Sequence, residues 1–400
     1  MLLDLIGVPL AGVLATPAMT FAAECLLGAA ATIEERTVPR TSRRYVVLVP
    51  AHDESAVIAD TLAGLAKAVG PSGQVLVIAD NCSDDTAAIA RRAGVRVLER
   101  TDTVRRGKGH ALMAGVEAVA DDPPEVIVVV DADCAVEPHA LDLLVEVAGG
   151  TGRPAQGDYV FEPADDGLKS KLSAFAVRVR NRVRPLGASR MSMPCPLFGT
   201  GMAFPYDLVK RIGFGGGHIT EDILLAVSAA SEGRPPIFVP EAHVVGTLPV
   251  GDEAAKGQRM RWEHGHLSLI REQVPELLAH AIGKRDLAAL GLALDLAVPP
   301  LAFLVGTLGG VFVVLVGSGL FLLAPVTTAI TGLSLGVVGI AVLAARSTHA
   351  SDLVTLRDLA AVPRYIWWKL PLYTRFFQGR EQKSWVRTAR DSAPAKPSSV

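Results

Sequence analysis

Cysteine is scarce in this chain and scattered: Cys25, Cys82, Cys134 and Cys195 stand far apart in 400 residues, with no CxxC pair and no Cys/His cluster. That distribution excludes a disulfide framework and a structural zinc site, and free thiols facing a reducing cytosol follow. A surplus of charge is lacking too, since 39 Lys+Arg oppose 41 Asp+Glu for a net −2. No overall field draws nucleic acid or anionic lipid, so nucleic acid is not an expected partner. Also missing is a GxGxxG after the first β-rich run; Pro50-Ala51-His52-Asp53-Glu54 stands there instead, which removes a dinucleotide-binding dehydrogenase. No internal repeat is visible.

Apolar length, by contrast, is abundant: hydrophobic residues make up 50% of the chain, so some of them must leave the water-soluble body. Residues 5–23 form an uncharged run of membrane-spanning length, extended past Glu24 to residue 31, with Pro9 and Pro17 as expected kinks. Arg36, Arg40, Arg43 and Arg44 follow and nothing basic precedes, which argues against a signal peptide and puts the N-terminus outside. A second block, 287–345, carries only Asp295 and is punctuated by Pro299, Pro300 and Pro325. It predicts a tight hairpin of two spans, 301–323 and 326–345, with 287–298 as a candidate third membrane element. Arg346, Arg357 and Arg364 come next, so both ends of the intervening segment read as cytoplasmic. From 363 to 377, six aromatics interleave with Arg364, Lys369 and Arg375, as suits a segment lying among lipid headgroups.

Between the apolar blocks, β-rich runs at 45–49, 75–79, 95–98 and 126–130 alternate with helical stretches at 56–68, 86–93 and 111–120. That alternation predicts an open, mostly parallel sheet, whose ligands bind at the carboxyl ends of its strands. Acids stand there repeatedly: Pro50 to Glu54 after the first run, Asp80-Asn81-Cys82-Ser83-Asp84 after the second, Asp131-Ala132-Asp133 after the fourth. Any one of these by itself reads first as an ordinary turn, but three in register are harder to dismiss. Asp131 and Asp133, two apart at a strand end, bring two carboxylates to one side, where they repel. A hard divalent cation, Mg²⁺ or Mn²⁺, resolves the repulsion and keeps positions open for diphosphate oxygens.

Arg105-Arg106-Gly107-Lys108-Gly109 supplies amides and cations for a phosphate, or else forms a solvated turn. Thr220-Glu221-Asp222 follows the glycine-rich loop 214–218 and opens an apolar helical stretch, either as a cap or as catalytic acids. Gln258, Arg261 and Trp262 fall at i, i+3 and i+4, so an amide, a guanidinium and an aromatic plate share one helix face. His218, His264 and His266 are read as polar interface, because a His-x-His pair on a helix points its rings to different faces. Cys134 and Cys195 are read as small buried side chains.

In this order the residues resemble the family 2 glycosyltransferases of GT-A fold, in particular the membrane-bound branch with cellulose, chitin and hyaluronan synthases. The likeness spans about residues 44–272 through PAHDE, ADNCSDDT, GKGHAL, DAD, GTG, TED and QRMRW. It implies an α/β GT-A domain in which Pro50, Asp53, Glu54, Asp80, Lys108 and Asp131 bind the donor nucleotide, with Asp80 at the uracil. Asp131 and Asp133 would hold the metal. Gly199, Thr200 and Gly201 would line the acceptor site, and Gln258, Arg261 and Trp262 would bind acceptor and diphosphate. Asp222, with Glu221 beside it, would be the general base. AHDE stands here for the usual AYNE, and Ala79 for the first acid of the usual DD pair; Asp80 keeps the second position.

The chemistry so implied is a displacement. A nucleotide-sugar is already activated, so the protein must stabilise a departing diphosphate and deprotonate an acceptor hydroxyl on the opposite face, with inversion. The expected donor is a UDP-sugar, with a GDP-sugar as the alternative; the acceptor is lipid-linked or a glycan, in bacterial cell-surface polysaccharide or glycolipid synthesis. The expected layout is a transmembrane helix at 1–34, a catalytic domain at 44–250 and interface helices at 251–285. Transmembrane helices at 286–346, an amphipathic interfacial segment at 347–379 and a disordered tail at 380–400 follow. The expected location is the bacterial inner membrane, crossed more than once, with the catalytic domain on the cytoplasmic side. The competing readings are a processive synthase whose channel is completed by homo-oligomerisation, a nucleotidyltransferase, and a nucleotide-binding membrane module without catalysis.

Overall fold

The computed structural model describes residues 3–34, 38–215, 221–248 and 252–379. Expectations resting on Arg36, Thr220, the loop residues Gly216, Gly217 and His218, and the tail 380–400 lie outside the described residues. The chain forms two compact units, one from Thr32–Asp166 and Pro194–Arg261, the other from Met1–Ala31, Gly167–Met193 and Trp262–Gln382.

The first unit is built on a mixed sheet. Its strands are β1 (Tyr45–Ala51), β2 (Gly73–Asp80), β3 (Arg96–Arg100), β4 (Val126–Val129), β5 (Ala135–Val136), β6 (Ala155–Glu162), β7 (Met202–Pro205) and β8 (Ile237–Thr247). They lie in the order β3-β2-β1-β4-β7-β6-β8-β5. β3, β2, β1 and β4 are parallel neighbours, with Leu48 level with Leu76 on one side and Val129 on the other. Val47 to Val49 and residues 126–130 are shut from solvent, as the unbroken apolar runs of a two-face-covered parallel sheet require.

The helices Ile58–Ala68, Thr86–Arg92 and Lys108–Glu117 make the crossovers. Ile58, Leu62 and Leu65 form the buried stripe of the first. The third lies so close on the sheet that a Cβ on Gly115 would press Ile78 and Leu48 at 3.0 and 3.1 Å. β7 enters antiparallel to β4, pairing Met202 with Val129, so the residues just before β7 arrive at the carboxyl end of β4. Gly199 (φ 89°) and Gly201 (φ 60°) make the bend there in left-handed backbone that favours glycine.

The second unit is helical. Asp4–Ala29 and Pro325–His349, of 26 and 25 residues, are long and apolar enough to cross a membrane. Leu287–Leu296 and Leu301–Gly317 are bent by 72° about the Pro299-Pro300 break and together make up one further candidate span. The helix expected over 301–323 stops at Gly317, because Gly319 turns left-handed (φ 75°) and a short 3₁₀ turn, Leu320–Leu322, leads into Pro325.

The two long helices run parallel. The Asp4 carboxylate accepts from the amide and hydroxyl of Thr327 at 3.1 and 2.9 Å at one end, and His349 Nε2 meets the Gly28 carbonyl at 3.0 Å at the other. Leu5, Ile6, Val13, Leu333 and Ile340 face outward from this pair. In the helix Val362–Phe377, Trp367 and Phe377 are exposed. Lys369, expected among headgroup-facing cations, is instead buried in an ion pair with Glu263, since an ammonium removed from water must find a carboxylate.

Candidate active site

Three of the expected acidic turns stand at one edge of the sheet, because parallel strands deliver their carboxyl ends together. The turns after β1 and β2 are tied to each other: Asp53 Oδ1 accepts from the Ser83 amide (2.6 Å), the Glu54 amide donates to Thr86 Oγ1 (2.8 Å), and the Ser55 amide donates to Asp84 Oδ2 (3.1 Å). Asp53 and Asn81 hold left-handed φ angles of 54° and 53° to make these turns. Asp53 and the Glu54 backbone thus brace the edge, and half-buried Pro50 is the last residue but one of β1. Asp80, the last residue of β2, is buried and salt-bridged to Arg100.

The deepest convergence lies after β4. Lys108, first residue of its helix, pairs through Nζ with Asp131 and donates to the Gly199 carbonyl at 2.7 Å. The Asp131 amide donates to Thr200 Oγ1 at 3.0 Å, so the loop before β7 is fastened to the acidic turn. Gln156, fully buried on β6, holds that loop from behind, donating through Nε2 to the Thr200 carbonyl (3.0 Å) and accepting from the Phe198 amide (2.8 Å). A Cβ placed on Gly199 would stand 3.6 Å from Lys108 Nζ and 3.7 Å from Asp222 Oδ2, which puts both charged groups at one small clearing.

Glu221 and Asp222 form the first turn of the helix Glu221–Ser231. Burial pushes the Glu221 carboxyl up to about 8, with Asp222 and Asp131 adding to the rise against the pull of Lys108. Burial lowers the Arg261 guanidinium from its ordinary value, and the charge of Glu221, within electrostatic reach, opposes that. Burial would also lower Lys108, but Asp131, Glu221 and Asp222 carry it above its usual value. Gln258 lies half-buried one turn before Arg261 on the helix Asp252–Lys284. Trp262, the next residue after Arg261, belongs to the helical unit. So do His264 and His266, whose Nε2 atoms meet the carbonyls of Leu372 and Leu296 at 2.9 and 3.1 Å.

The residues after β4 suit a divalent cation. Ligand atoms of Asp131, Asp133 and Cys134 lie within 4.8 Å of one another. The two carboxylates are half-buried, while burial raises the Cys134 thiol far above its usual range, so the hard oxygen pair is the part of this group that could hold such an ion. A second group, Asp53, Cys82 and Asp84, meets the same distance limit, but its carboxylates already take the Ser83, Ser55 and Thr86 donors.

Sequence reasoning singled out neither Arg100 nor Gln156. The signal for Arg100 is register, since it pairs with Asp80 across β2 and β3. Gln156 carries none beyond being a polar residue in an apolar strand.

A family model described as "Glycosyltransferase like family 2" matches residues 42–265. A curated protein, glucosyl-3-phosphoglycerate synthase of Mycobacterium tuberculosis, is 31% identical over 116 residues, 28% of this chain. The match covers 35% of that relative's length. Among solved structures, the mannosyltransferase PcManGT from Pyrobaculum calidifontis, in complex with GDP-Man and Mn²⁺, superposes with a TM-score of 0.50 at 20% identity. That superposition covers 85% of this chain and 99% of the other, and at that identity it speaks to the fold.

Proposed function

The chain belongs to glycosyltransferase family 2, and from that premise we propose that it transfers a sugar from a nucleotide-sugar, a UDP-sugar first, to an acceptor hydroxyl with inversion. The observation that carries this reading is the meeting of Lys108, Asp131 and Asp222 around the Gly199–Thr200 bend, with Glu221 and Arg261 within electrostatic reach of that group. Asp131 and Asp133 would hold Mg²⁺ or Mn²⁺, as the Mn²⁺ of the mannosyltransferase complex supports. That ion would neutralise the diphosphate.

The chain's own groups supply the rest. Arg261 and Lys108 offer cations to the leaving diphosphate, where low dielectric strengthens them. Glu221, protonated near neutral pH, adds no repulsion to that anion and offers an O–H instead. Asp222, beside Gly199, is placed to take the acceptor's proton. Asp222→Asn should lower transfer by about 10²–10³-fold with UDP affinity within about threefold, read by UDP release and by titration calorimetry. Turnover retained in that variant would reassign the base. Release of diphosphate in place of UDP would mark a nucleotidyltransferase.

The same proposal places the protein in the membrane-bound branch, with a lipid-linked or glycan acceptor. Support comes from the two long apolar helices, their outward-facing side chains and the Gln258, Arg261, Trp262 set. Because those helices are parallel, their C-terminal ends share a side; Arg346 in the last turn of one, and the arginines at 40, 43 and 44 that follow the other in sequence, support reading that side as cytoplasmic.

A further inference from the structure

We propose that Arg100 sets the nucleobase preference, by leaving Asp80 one open carboxylate oxygen that accepts a single ring N–H, as in uracil, rather than the paired donors of guanine. The inference rests on the nucleotide-sugar reading and narrows it to the base.

Asp80 and Arg100 end neighbouring parallel strands and are register partners. Arg100 Nη1 donates to Asp80 Oδ1 at 2.5 Å, and Asn81 Nδ2 donates to the same oxygen at 3.1 Å. Arg100 is itself fixed, since its Nη2 donates to Asp102 Oδ2 at 3.0 Å and to the Arg105 carbonyl at 2.6 Å. Asn81 is fixed as well, accepting the Asp102 amide at 2.9 Å. Both braces are therefore held at their far ends, and the Asp80 carboxylate cannot rotate without breaking several charge-assisted bonds. Its Oδ2 takes no hydrogen bond among the described residues, although the side chain is only 10% exposed.

Position makes this oxygen a reader of the base. The strand order β2-β1-β4 puts Asp80 two strands from Asp131, roughly 10 Å at ordinary strand spacing. A nucleotide whose diphosphate lies at Asp131 spans that distance with its ribose and base. Uracil offers one ring N–H between two carbonyls; Oδ2 accepts the N–H, and the second hydrogen on Arg100 Nη1 suits a flanking carbonyl. Guanine offers adjacent N–H donors that want both carboxylate oxygens, and Oδ1 already carries two donors. Cytosine presents a lone pair where the N–H is needed, which leaves Oδ2 facing another acceptor.

Titration calorimetry of UDP, GDP and CDP with Mn²⁺ into the full-length protein in detergent tests this. UDP should bind about tenfold or more tighter than GDP or CDP, the value of one well-placed hydrogen bond. Arg100→Gln should weaken UDP about tenfold and narrow the UDP/GDP ratio by a similar factor, and Arg100→Lys, which keeps charge without the fork, should fall between. A structural role alone would move both nucleotides together and leave the ratio intact. An unchanged ratio in both variants, or wild-type protein binding GDP as tightly as UDP, overturns the inference alone. Wild-type protein that binds none of the three overturns the nucleotide-sugar reading with it.

Discussion

At the scale of single residues, the site is a set of charges that are tolerable only together. Asp131 and Asp133 stand on the same turn, and Lys108 balances the first of them. Asp133→Ala leaves one carboxylate for a divalent cation, so Mn²⁺-dependent UDP binding should fall by about two orders of magnitude, as for a lost metal ligand. Calorimetry with and without Mn²⁺ reads this directly, and a variant whose gain in UDP affinity on adding Mn²⁺ equals that of the wild type would deny Asp133 the role. Glu221 gives a pH signature. Its carboxyl rises from 4.5 to about 8 in the folded protein, so its contribution favours folding below pH 4.5 and is lost progressively as pH climbs through 8. Glu221→Gln carries no proton to lose, so its melting temperature should gain on wild type from pH 5 to pH 8 in EDTA. A difference flat across that range would mean that Glu221 is ionised in the folded state.

At the scale of elements, the helical unit is closed by one guanidinium. Arg184 Nε donates to Glu24 Oε2 at 2.6 Å, and its Nη2 donates to Asp295 Oδ1 at 2.7 Å, all three side chains being buried. The helix Arg184–Arg190 meets Asp4–Ala29 so closely that a Cβ on Gly187 would collide with the Glu24 carbonyl oxygen, and one on Gly28 with that of Val183. Arg184→Ala should destabilise the unit by roughly 3–5 kcal/mol, because two buried carboxylates lose their counter-charge. Pairing Arg184→Met with Glu24→Gln and Asp295→Asn should restore most of that loss, measured as thermal unfolding in detergent. Asp295, which reads in sequence as an anomaly within an apolar block, is thereby accounted for.

At the scale of the whole molecule, apolar residues at Leu5, Ile6, Val13, Val313, Leu333 and Ile340 stay exposed on helices otherwise packed together. Surface of that kind is costly in water and ordinary in lipid. The full chain should therefore sediment with membranes and resist alkaline carbonate, and recovery in the soluble fraction would refute a spanning arrangement. Product length from purified protein decides processivity: one added sugar marks a single-transfer enzyme, a ladder a polymerase.

The sequence alone determined what local pattern encodes. Alternating apolar runs placed the first four strands within a few residues, and the acids after them were legible because strand ends gather ligand-binding groups. Motif order carried the family. Tertiary structure alone decided what depends on residues remote in the chain: Arg100 at Asp80, Gln156 behind Thr200, Arg184 between Glu24 and Asp295, the inward turn of Lys369, and the parallel course of the two long helices. Periodicity reports which face of an element is apolar, but the partner of a buried charge is chosen by packing across distant segments, and no local spacing records that choice.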